Sequence, residues 1–230
     1  MSKRSEENRE ARTIALVGGT GDQGPPLAVR WILAGNRALI GSRNLEKAKT
    51  VAEELQSILG SLGCDAEVGF GINEQVVTQA DTVVMTIPYA GLESTIQNLE
   101  GKIKPGTLII SPIVPIEFIG KDIRLIHVEG ASAAETIARG FPETRVVSAL
   151  QTVSSKLLGD YTKPVKGDVM VCSDDPEAKI AAKSLVEQIP NLRAVDAGEL
   201  ANSHIVEEFT VLLIKTGRIN KKGNLCVRLI

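Results

Sequence analysis

Short apolar runs alternate with amphipathic stretches along the first two thirds of the chain. The runs "TIALVG", "RALIGS", "DTVVMTIP" and "GTLIISP" have the length and composition of buried strands. Between the second and third runs, apolar residues recur every three or four positions from Leu45 to Leu62, behind the capping residue Asn44. This spacing predicts a helix with one buried face. Alternating strands and helices predict an α/β fold, with a parallel sheet covered by helices on both faces.

The pattern changes after Pro112. Residues 113–130, "IVPIEFIGKDIRLIHVEG", predict a long apolar connection with poor periodicity, followed by a helix and the strand "TRVVSAL". The remaining part predicts two helices and the strands "GDVMVCS", "LRAVDAG" and, at the end, "NLCVRLI". We therefore predict a flexible tail over residues 1–12, a large α/β domain over residues 13–150, and a smaller α/β domain over residues 151–230.

Composition excludes several classes of function. The net charge of -2 gives no basic field for nucleic acid, and 3% aromatic residues offer little base stacking. No apolar run reaches the roughly 18 residues of a membrane span. Cys64, Cys172 and Cys226 are scattered, and neither His127 nor His204 pairs with a cysteine at metal-ligand spacing. We expect a cytoplasmic protein with no metal, membrane or nucleic-acid partner, and a core role for Cys172.

The stretch "VGGTGDQGPP" follows the first predicted strand. Gly19, Gly21 and Gly24 match the dinucleotide fingerprint G-x-G-x-x-G, in which the first glycine permits the tight turn. The second lets the backbone approach a pyrophosphate, and the third lets the helix pack on the strand. A surface turn is the alternative, because glycine and proline favour turns. The flanking strand and helix favour a Rossmann-type doubly wound sheet with a dinucleotide site. The loop residues predicted to bind the dinucleotide are Gly19, Thr20, Gly21, Asp22, Gln23 and Gly24.

Two prolines follow this loop directly. Proline in a helix interior removes a hydrogen bond, whereas the first helical position tolerates it. We therefore expect the helix to have a distorted first turn or to begin at Pro25.

The end of the second strand indicates which nicotinamide cofactor binds. Enzymes that use NAD place an acid about 20 residues after the loop, to bind the ribose 2′-hydroxyl. Here the chain reads "GSRNLEK", with Ser42 and Arg43 at that point and Lys47 in the next helical turn. A hydroxyl and a guanidinium bind a 2′-phosphate, to which Thr20 could add a second hydroxyl, so the sequence predicts NADP(H). Ordinary exposed surface cations are the alternative.

No catalytic side chain stands out. Tyr161 is followed four residues later by Val165, and Tyr89 by Glu93, so neither forms the Tyr-x-x-x-Lys pair of short-chain dehydrogenases. Hydride transfer between two bound cofactors needs no protein acid at the hydride step. It needs two rings held with the reacting carbons about 3–3.5 Å apart.

Eight blocks from Thr13 to the C-terminus resemble, in order, those of the reductases that pass hydride between NADP and the deazaflavin coenzyme F-420 (F420 below). The blocks are "GGTGDQG", "IGSRNLEKA", "TIPY", "ISPIVP", "GASAAE", "VVSALQT", "DAGELANSHIVE" and "GNLCVRLI". The resemblance implies an NADP-dependent oxidoreductase with an NADP-binding Rossmann domain, a smaller domain closing the cofactor cleft, and a homodimer.

The resemblance also implies roles for individual residues. Those expected around the 2′-phosphate are Thr20, Ser42, Arg43 and Lys47. Those expected beside the nicotinamide are Pro88, Tyr89, Val114 and, from the C-terminus, Leu225. Those expected against the deazaflavin are Gln151, Val153 and Ser155. The rival interpretation of Pro88, Val114 and Val153 is ordinary packing.

Two departures and an open assignment accompany the resemblance. Some family members carry histidine where this chain has Gln151, and Val153 begins a stretch that lacks the expected Ile-Pro pair. Glutamine can hydrogen-bond but cannot carry charge. Coenzyme F420 is anionic, and Lys156, Lys163 and Lys166 could meet its tail or be solvated surface.

Two other functions fit the same residues. One is an NADPH-dependent reductase of another acceptor, such as flavin, ferric iron or a small imine. The other is a non-catalytic NADP(H)-binding redox sensor, which the lack of catalytic side chains fits equally well. In the enzyme, the apolar segment "IVPIEFIG" would form part of a dry cleft.

Overall fold

The computed structural model describes residues 11–120, 122–128, 131–222 and 225–230. Most of the predicted tail lies outside the described residues. Arg12 is already tied to the fold, because its backbone amide donates to Asn36 Oδ1 at 3.1 Å and its guanidinium lies 3.6 Å from the Asp81 carboxylate.

Strands and helices alternate as the sequence pattern predicts. The strands are β1 (Thr13–Val17), β2 (Arg37–Ser42), β3 (Gly69–Ile72), β4 (Thr82–Met85), β5 (Leu108–Ser111), β6 (Ile116–Ile119), β7 (Asp122–Leu125), β8 (Arg145–Ser148), β9 (Gly167–Val171) and β10 (Leu192–Asp196). The helices are α1 (Gly24–Leu33), α2 (Leu45–Ser61), α3 (Asn73–Val77), α4 (Leu92–Leu99), α5 (Ala133–Gly140), α6 (Ser155–Leu158), α7 (Pro176–Glu187) and α8 (Ser203–Ile219). Single 3-10 turns span Tyr89–Gly91 and Leu200–Asn202.

Six parallel strands form the main sheet in the order β3-β2-β1-β4-β5-β8. The predicted Rossmann-type, doubly wound parallel sheet is therefore confirmed. The strand order reverses between β1 and β4, which pair along their length. In open α/β sheets, ligands bind at the carboxyl ends of the strands beside this switch point.

Side chains of β1 alternate between two hydrophobic layers. Ile14 and Leu16 pack into the layer that holds α1, α2 and α7, whereas Ala15 and Val17 pack into the layer that holds α4 and α5. Both faces of the central strands are thus buried, which explains why the sequence shows continuous apolar runs there. In the first layer, the indole of Trp31 donates to the Leu185 carbonyl at 2.9 Å.

The part of the chain after residue 150 shares this core. Strands β9 and β10 form a parallel pair that joins β8 through an antiparallel bridge between Ser148 and Cys172. Val169 and Leu185 belong to the same hydrophobic cluster as Leu16. The division into domains at residues 13–150 and 151–230 stays a prediction. Both parts contribute side chains to one hydrophobic core.

Two segments differ from the sequence-based expectation. Residues 113–130 contain an antiparallel hairpin, β6 with β7, with Gly120 at φ +60° following β6. The predicted end strand is wrong for the described residues 225–230, which form no regular strand. They are held along β9 by the amide of Asp168, which donates to the Val227 carbonyl at 2.7 Å, and by its carboxylate, which accepts from Leu229 N at 2.6 Å.

Helix α1 begins one residue before the predicted start. Gln23 is the N-cap, and Pro25 and Pro26 both lie in the first turn, where helix amides have no intrahelical acceptor. The first bond of the helix runs from Leu27 N to the Gln23 carbonyl, at 3.4 Å. The prolines therefore cost the helix no hydrogen bond.

Candidate functional site

A cleft of about 1110 Å³ opens at the carboxyl ends of the strands beside the switch point. Its walls are the glycine loop after β1, the 3-10 turn after β4, the hairpin, the loop after β8 and one face of α8. Most of the predicted binding residues line it: Gly21, Asp22, Gln23, Pro88, Tyr89, Val114, Gln151, Val153, Ser155 and Leu225. The others lie outside this lining: Gly19, Thr20, Gly24, Ser42, Arg43 and Lys47.

Different physical reasons explain why glycine stands at each position of the loop. The left-handed backbone conformation of the loop lies at Gly18, with φ +71°, one residue before the first glycine of the motif. A Cβ on Gly19 would lie 2.8 Å from the Leu16 carbonyl oxygen, and one on Gly24 would lie 2.5 Å from the Gly19 carbonyl oxygen. A Cβ on Gly21 would meet nothing nearer than 3.6 Å. The protein's own packing requires glycine at positions 18, 19 and 24, but not at Gly21.

Free amides gather where α1 begins. Within the described part of the chain, the amides of Asp22, Gln23 and Gly24 donate to no protein acceptor, and the prolines that follow have no amide hydrogen. The positive end of the helix dipole lies at the same point, so it attracts an anion. The Gln23 side chain points elsewhere, because its Nε2 donates to the Leu150 carbonyl at 3.1 Å.

The end of β2, next to β1 in the sheet, carries two unpaired cations. Arg43 and Lys47 are exposed, and neither side chain forms an ion pair or hydrogen bond with another described residue. Ser42 is buried, and its hydroxyl accepts from Asn44 N at 3.2 Å. Asn44 in turn caps α2, because its Oδ1 accepts from Lys47 N at 3.0 Å. The local fold thus holds both cations close to the glycine loop.

The turn after β4 contributes an aromatic wall. Tyr89 is half-buried, and burial is the main cause that raises the pKa of its phenol, with smaller contributions from Glu207 and Glu93. Tyr89 is therefore a neutral hydroxyl at physiological pH. Pro88 precedes it in an exposed position, and Val114 faces the cleft from the segment after β5.

The loop after β8 holds a buried amide. Gln151 is 7% exposed, and its Nε2 donates to the Ser111 carbonyl at 3.1 Å and to the Ser148 hydroxyl. Its Oε1 has no hydrogen-bond partner among the described residues. Val153 lines the cleft and also belongs to the first hydrophobic layer, while Ser155 begins α6.

One face of α8 forms a wall that the sequence reasoning missed. The lining residues there are Thr210, Leu213, Ile214, Gly217, Arg218 and Lys221. Their spacing of three and four residues indicates one face of a helix. The sequence alone does not indicate that this face lines a cleft. The predicted contribution of "IVPIEFIG" to the cleft is confirmed by Ile116 and Phe118.

The predicted lysine cluster does not reach the cleft. Lys156, Lys163 and Lys166 are exposed and absent from its lining, and Lys163 pairs with Asp160 at 2.8 Å. The surface interpretation of these lysines fits the structure. The cations in the cleft wall are Arg218 and Lys221 instead.

A buried carboxylate anchors α8 one turn before the cleft. Glu207 accepts from Ala133 N at 3.0 Å and from Ala134 N at 3.4 Å, at the start of α5. It also lines a smaller cavity of about 310 Å³ behind the wall. Burial raises the pKa of Glu207 to about 7, against the lowering effect of the two amides.

The buried cysteine is a weak candidate for chemistry. Cys172 is fully buried, and burial raises the pKa of its thiol to about 11, which fits the predicted core role. The described residues contain no cluster of three or more side chains suited to hold a metal ion. Within the same residues, no helix has the length and apolar character needed to cross a membrane.

Comparison with known proteins gives a consistent result. The family model described as NADP oxidoreductase coenzyme F420-dependent matches residues 13–115. The chain is 39% identical over 203 residues to the F420-dependent NADP reductase of Methanocaldococcus jannaschii, which spans 87% of this chain and 90% of that protein. It is 36% identical over 220 residues to the F420-dependent NADP reductase of Methanothermobacter marburgensis, which spans 94% and 97%. A solved structure of a candidate F420-dependent NADP reductase from Arthrobacter sp. FB24 shares the fold, with a TM-score of 0.81 at 22% identity, over 96% of this chain and 100% of that one.

Proposed function

The chain belongs to the family of F420-dependent NADP reductases, and from that premise we propose that it transfers a hydride between NADP(H) and coenzyme F420. The observation that carries the proposal is a large cleft at the switch point of a Rossmann sheet. Its volume of about 1110 Å³ exceeds the range of about 300–1000 Å³ that is usual for one small ligand. Two ring systems can therefore share it.

The glycine loop fits the pyrophosphate of NADP(H). The amides of Asp22, Gln23 and Gly24 are free to donate, and the dipole of α1 favours negative charge there. Gly21 fits the same role. The protein itself leaves room for a side chain at this position, so its own packing does not require glycine there. A ligand that approaches the backbone closely explains the glycine.

The end of β2 fits the 2′-phosphate. Arg43 and Lys47 are unpaired, Ser42 supplies a hydroxyl, and no carboxylate stands beside them before Glu46. Thr20 is half-buried in the glycine loop next to this strand. Charge-assisted hydrogen bonds to a phosphate are stronger than neutral ones, so this set selects NADP(H) over NAD(H).

The inner cleft fits two stacked rings. We place the nicotinamide against Pro88, Tyr89 and Val114, with Leu225 closing that side, and the deazaflavin against the loop after β8. The residues assigned to the deazaflavin are Gln151, Val153 and Ser155. When bound, the nicotinamide and the deazaflavin supply the hydride donor and acceptor. The protein's part is to orient the rings and to exclude water with apolar side chains such as Ile113, Ile116 and Leu213.

A direct assay tests this function. Purified protein is mixed with NADPH and oxidised F420, and the deazaflavin absorbance is followed between about pH 5 and pH 9. We expect loss of the oxidised absorbance at a rate proportional to enzyme. No change, with NADPH binding still measurable, contradicts the proposal and favours a reductase of another acceptor or a redox sensor.

A substitution at the end of β2 tests the cofactor choice. Arg43→Ala should weaken NADPH binding about tenfold and leave NADH binding unchanged, because hydrogen bonds to charged groups contribute about 1.5–3 kcal/mol. Arg37→Ala is the matched control, since Arg37 is exposed at the opposite end of the same strand. A loss of less than about threefold for NADPH removes Arg43 from the phosphate site.

We further propose a homodimer in the cytoplasm. Ile205, Leu212 and Ile219 are 57%, 57% and 80% exposed on α8, and their seven-residue spacing puts them on one helix face. A second copy would bury this stripe, and Leu212→Glu should then shift the mass measured by light scattering from dimer to monomer. A monomeric wild-type protein contradicts the homodimer.

The three cysteines are free thiols, which fits a reducing compartment.

A further inference from the structure

The C-terminal residues 225–230, called the C-terminal strap below, lead from the cleft to the first residues of β9. Leu225 lines the cleft, as does Gly217 of α8. Two residues later along the strap, the Val227 carbonyl accepts from Asp168 N at 2.7 Å. A chain spans at most about 3.6 Å per residue, so the Cα atoms of Leu225 and Val227 lie no more than about 7 Å apart. The strap therefore has little slack between the cleft and β9.

Two glycines on other elements make room for the strap. A Cβ on Gly167, the first residue of β9, would lie 2.6 Å from Cys226 Sγ. A Cβ on Gly217 would lie 2.7 Å from the Lys222 carbonyl oxygen, where the chain turns back after α8, and 3.6 Å from Leu225 Cγ. Neither glycine has a left-handed backbone conformation. The close approach of the following chain explains why these two positions carry no side chain.

An ion pair holds the strap at one position along β9. Asp168 is 2% exposed, and its carboxylate accepts from Arg193 Nε at 2.9 Å and from Arg193 Nη2 at 2.6 Å. The same carboxylate accepts from Leu229 N at 2.6 Å, and Arg193 Nη2 donates to the Leu229 carbonyl at 2.7 Å. Both backbone polar groups of Leu229 are thus bound by one ion pair.

Stability alone does not explain a buried carboxylate at this point. Taking a charge out of water costs free energy, and apolar residues of similar size often stabilise a fold as well as an ion pair does. An extended segment held by apolar contacts alone can slide, whereas the planar guanidinium of Arg193 and the Asp168 carboxylate fit Leu229 in one register. A slip of one residue would move Leu225 by about 3.3 Å. The ion pair is therefore suited to set the position of Leu225.

We propose that Asp168 and Arg193 are positioning residues for the cleft: they hold the C-terminal strap in one register and so keep Leu225 against the bound nicotinamide. This inference rests on the proposed function, and it extends the site to two described residues outside the cleft lining. The coupling is reciprocal, because a nucleotide that gains contact with Leu225 must also stabilise the strap in its place on β9.

Alkylation of Cys226 measures whether the strap is in place. Iodoacetamide is added to the full chain, and the modified peptides are followed by mass spectrometry, with the free thiol of Cys64 as the internal reference. Burial raises the pKa of the Cys226 thiol, so a released strap exposes the thiol and also favours its reactive thiolate. Asp168→Asn should raise the Cys226 rate about tenfold relative to Cys64, because it weakens charge-assisted hydrogen bonds. Saturating NADPH should slow the Cys226 reaction in the wild type.

A double-mutant cycle tests whether the ion pair acts through Leu225. Leu225→Ala and Asp168→Asn should each lower kcat/KM for NADPH, with F420 as acceptor, by about 3- to 30-fold, the effect of one apolar contact. The double variant should be no worse than Leu225→Ala alone, since the strap then has no large side chain to position. Asp196→Asn is the matched control, because Asp196 pairs with Lys179 at the other end of β10. It should behave as wild type in both assays.

Arg193→Lys covers the case in which Asp168→Asn does not fold. Lysine keeps the charge but cannot bind the Asp168 carboxylate and the Leu229 carbonyl with the geometry of a guanidinium, so the same effects should appear at smaller size.

Each outcome decides one step. Wild-type Cys226 rates in both variants overturn the role of the ion pair in holding the strap. Faster alkylation with wild-type kcat/KM, or an additive loss in the double variant, overturns the link to Leu225. A Cys226 rate that does not respond to NADPH overturns the coupling to the nucleotide. Wild-type protein that binds NADPH but does not reduce F420 removes the proposed function, whereas the alkylation rates still test the strap.

Discussion

Two glycines of the loop after β1 separate packing from ligand binding. In Gly24→Ala the new Cβ would lie 2.5, 2.6 and 2.7 Å from the carbonyl oxygen, Cα and carbonyl carbon of Gly19. All three are backbone atoms, so the loop and α1 must move apart. Overpacking of this kind costs about 1–3 kcal/mol, which we expect as a lower free energy of unfolding.

Gly21→Ala should have the opposite profile. Its Cβ would lie 3.6 Å from the Gly18 carbonyl oxygen, an ordinary contact, and φ at Gly21 is not in the left-handed region. The free energy of unfolding without ligand should stay within about 0.5 kcal/mol of wild type. NADPH affinity should nevertheless fall at least about tenfold, because the methyl group takes the space where the pyrophosphate meets the backbone.

The assay needs two measurements on each variant. Urea unfolding without nucleotide gives the free energy of unfolding, and titration of NADPH fluorescence gives the dissociation constant. Gly60→Ala is the control, since Gly60 lies in α2 with open space around its Cβ position. It should stabilise the protein by about 0.5–1 kcal/mol and leave NADPH affinity unchanged. Wild-type NADPH affinity in Gly21→Ala would refute the pyrophosphate assignment, and unchanged stability in Gly24→Ala would refute the packing argument.

Two further predictions concern buried carboxylates. Glu207 has a folded pKa of about 7, above its usual 4.5, so the stability it contributes is present at low pH and is lost as pH rises towards 7. Between about pH 5 and pH 8 the wild type should lose roughly 2–3 kcal/mol relative to Glu207→Gln, measured by urea unfolding, and parallel pH profiles would contradict this. The Asp168 carboxylate accepts hydrogen bonds from Arg193 Nη2 and from Leu229 N, at 2.6 Å each. Asp168→Asn should weaken both bonds and so loosen the attachment of the C-terminal residues to β9. We expect faster carboxypeptidase trimming of the last residues, and an unchanged rate would argue against this anchor.

The main sheet was predictable because its strands are buried on both faces. Ile14 and Ala15 enter opposite hydrophobic layers, so no polar position interrupts the run and the strand is obvious in the sequence. The hairpin β6–β7 was not predicted, because Phe118 and Ile119 are 70% and 46% exposed. Apolar residues that remain largely exposed do not follow the usual relation between the hydrophobic pattern and burial. The final residues have strand-like composition, but Arg193 and Asp168 hold them largely through side chains.

The site divides in the same way. The glycine loop and Ser42-Arg43 follow strands directly, so local spacing is enough to identify them. Local spacing could not identify the wall that α8 and the loop after β8 form. Only the fold brings these two segments to the glycine loop. The bond from Gln23 Nε2 to the Leu150 carbonyl joins residues 127 positions apart. Gln151, Val153 and Leu225 were expected in the cleft through the family resemblance alone.

The contacts between α1 and the segment around α6 explain how a cleft without a catalytic acid can promote hydride transfer. Gln23 ties the glycine loop to the loop that carries Gln151. Further along α1, the guanidinium of the buried residue Arg30 donates to the carbonyls of Leu158, Asp160 and Lys163 at 3.0, 2.7 and 2.9 Å. Buried and partly buried hydrogen bonds therefore fix the proposed binding sites of the two cofactors to one another. Well-oriented reactants at about 3–3.5 Å gain about 7–11 kcal/mol from proximity, so a rigid frame of this kind supplies the main catalytic requirement of the reaction.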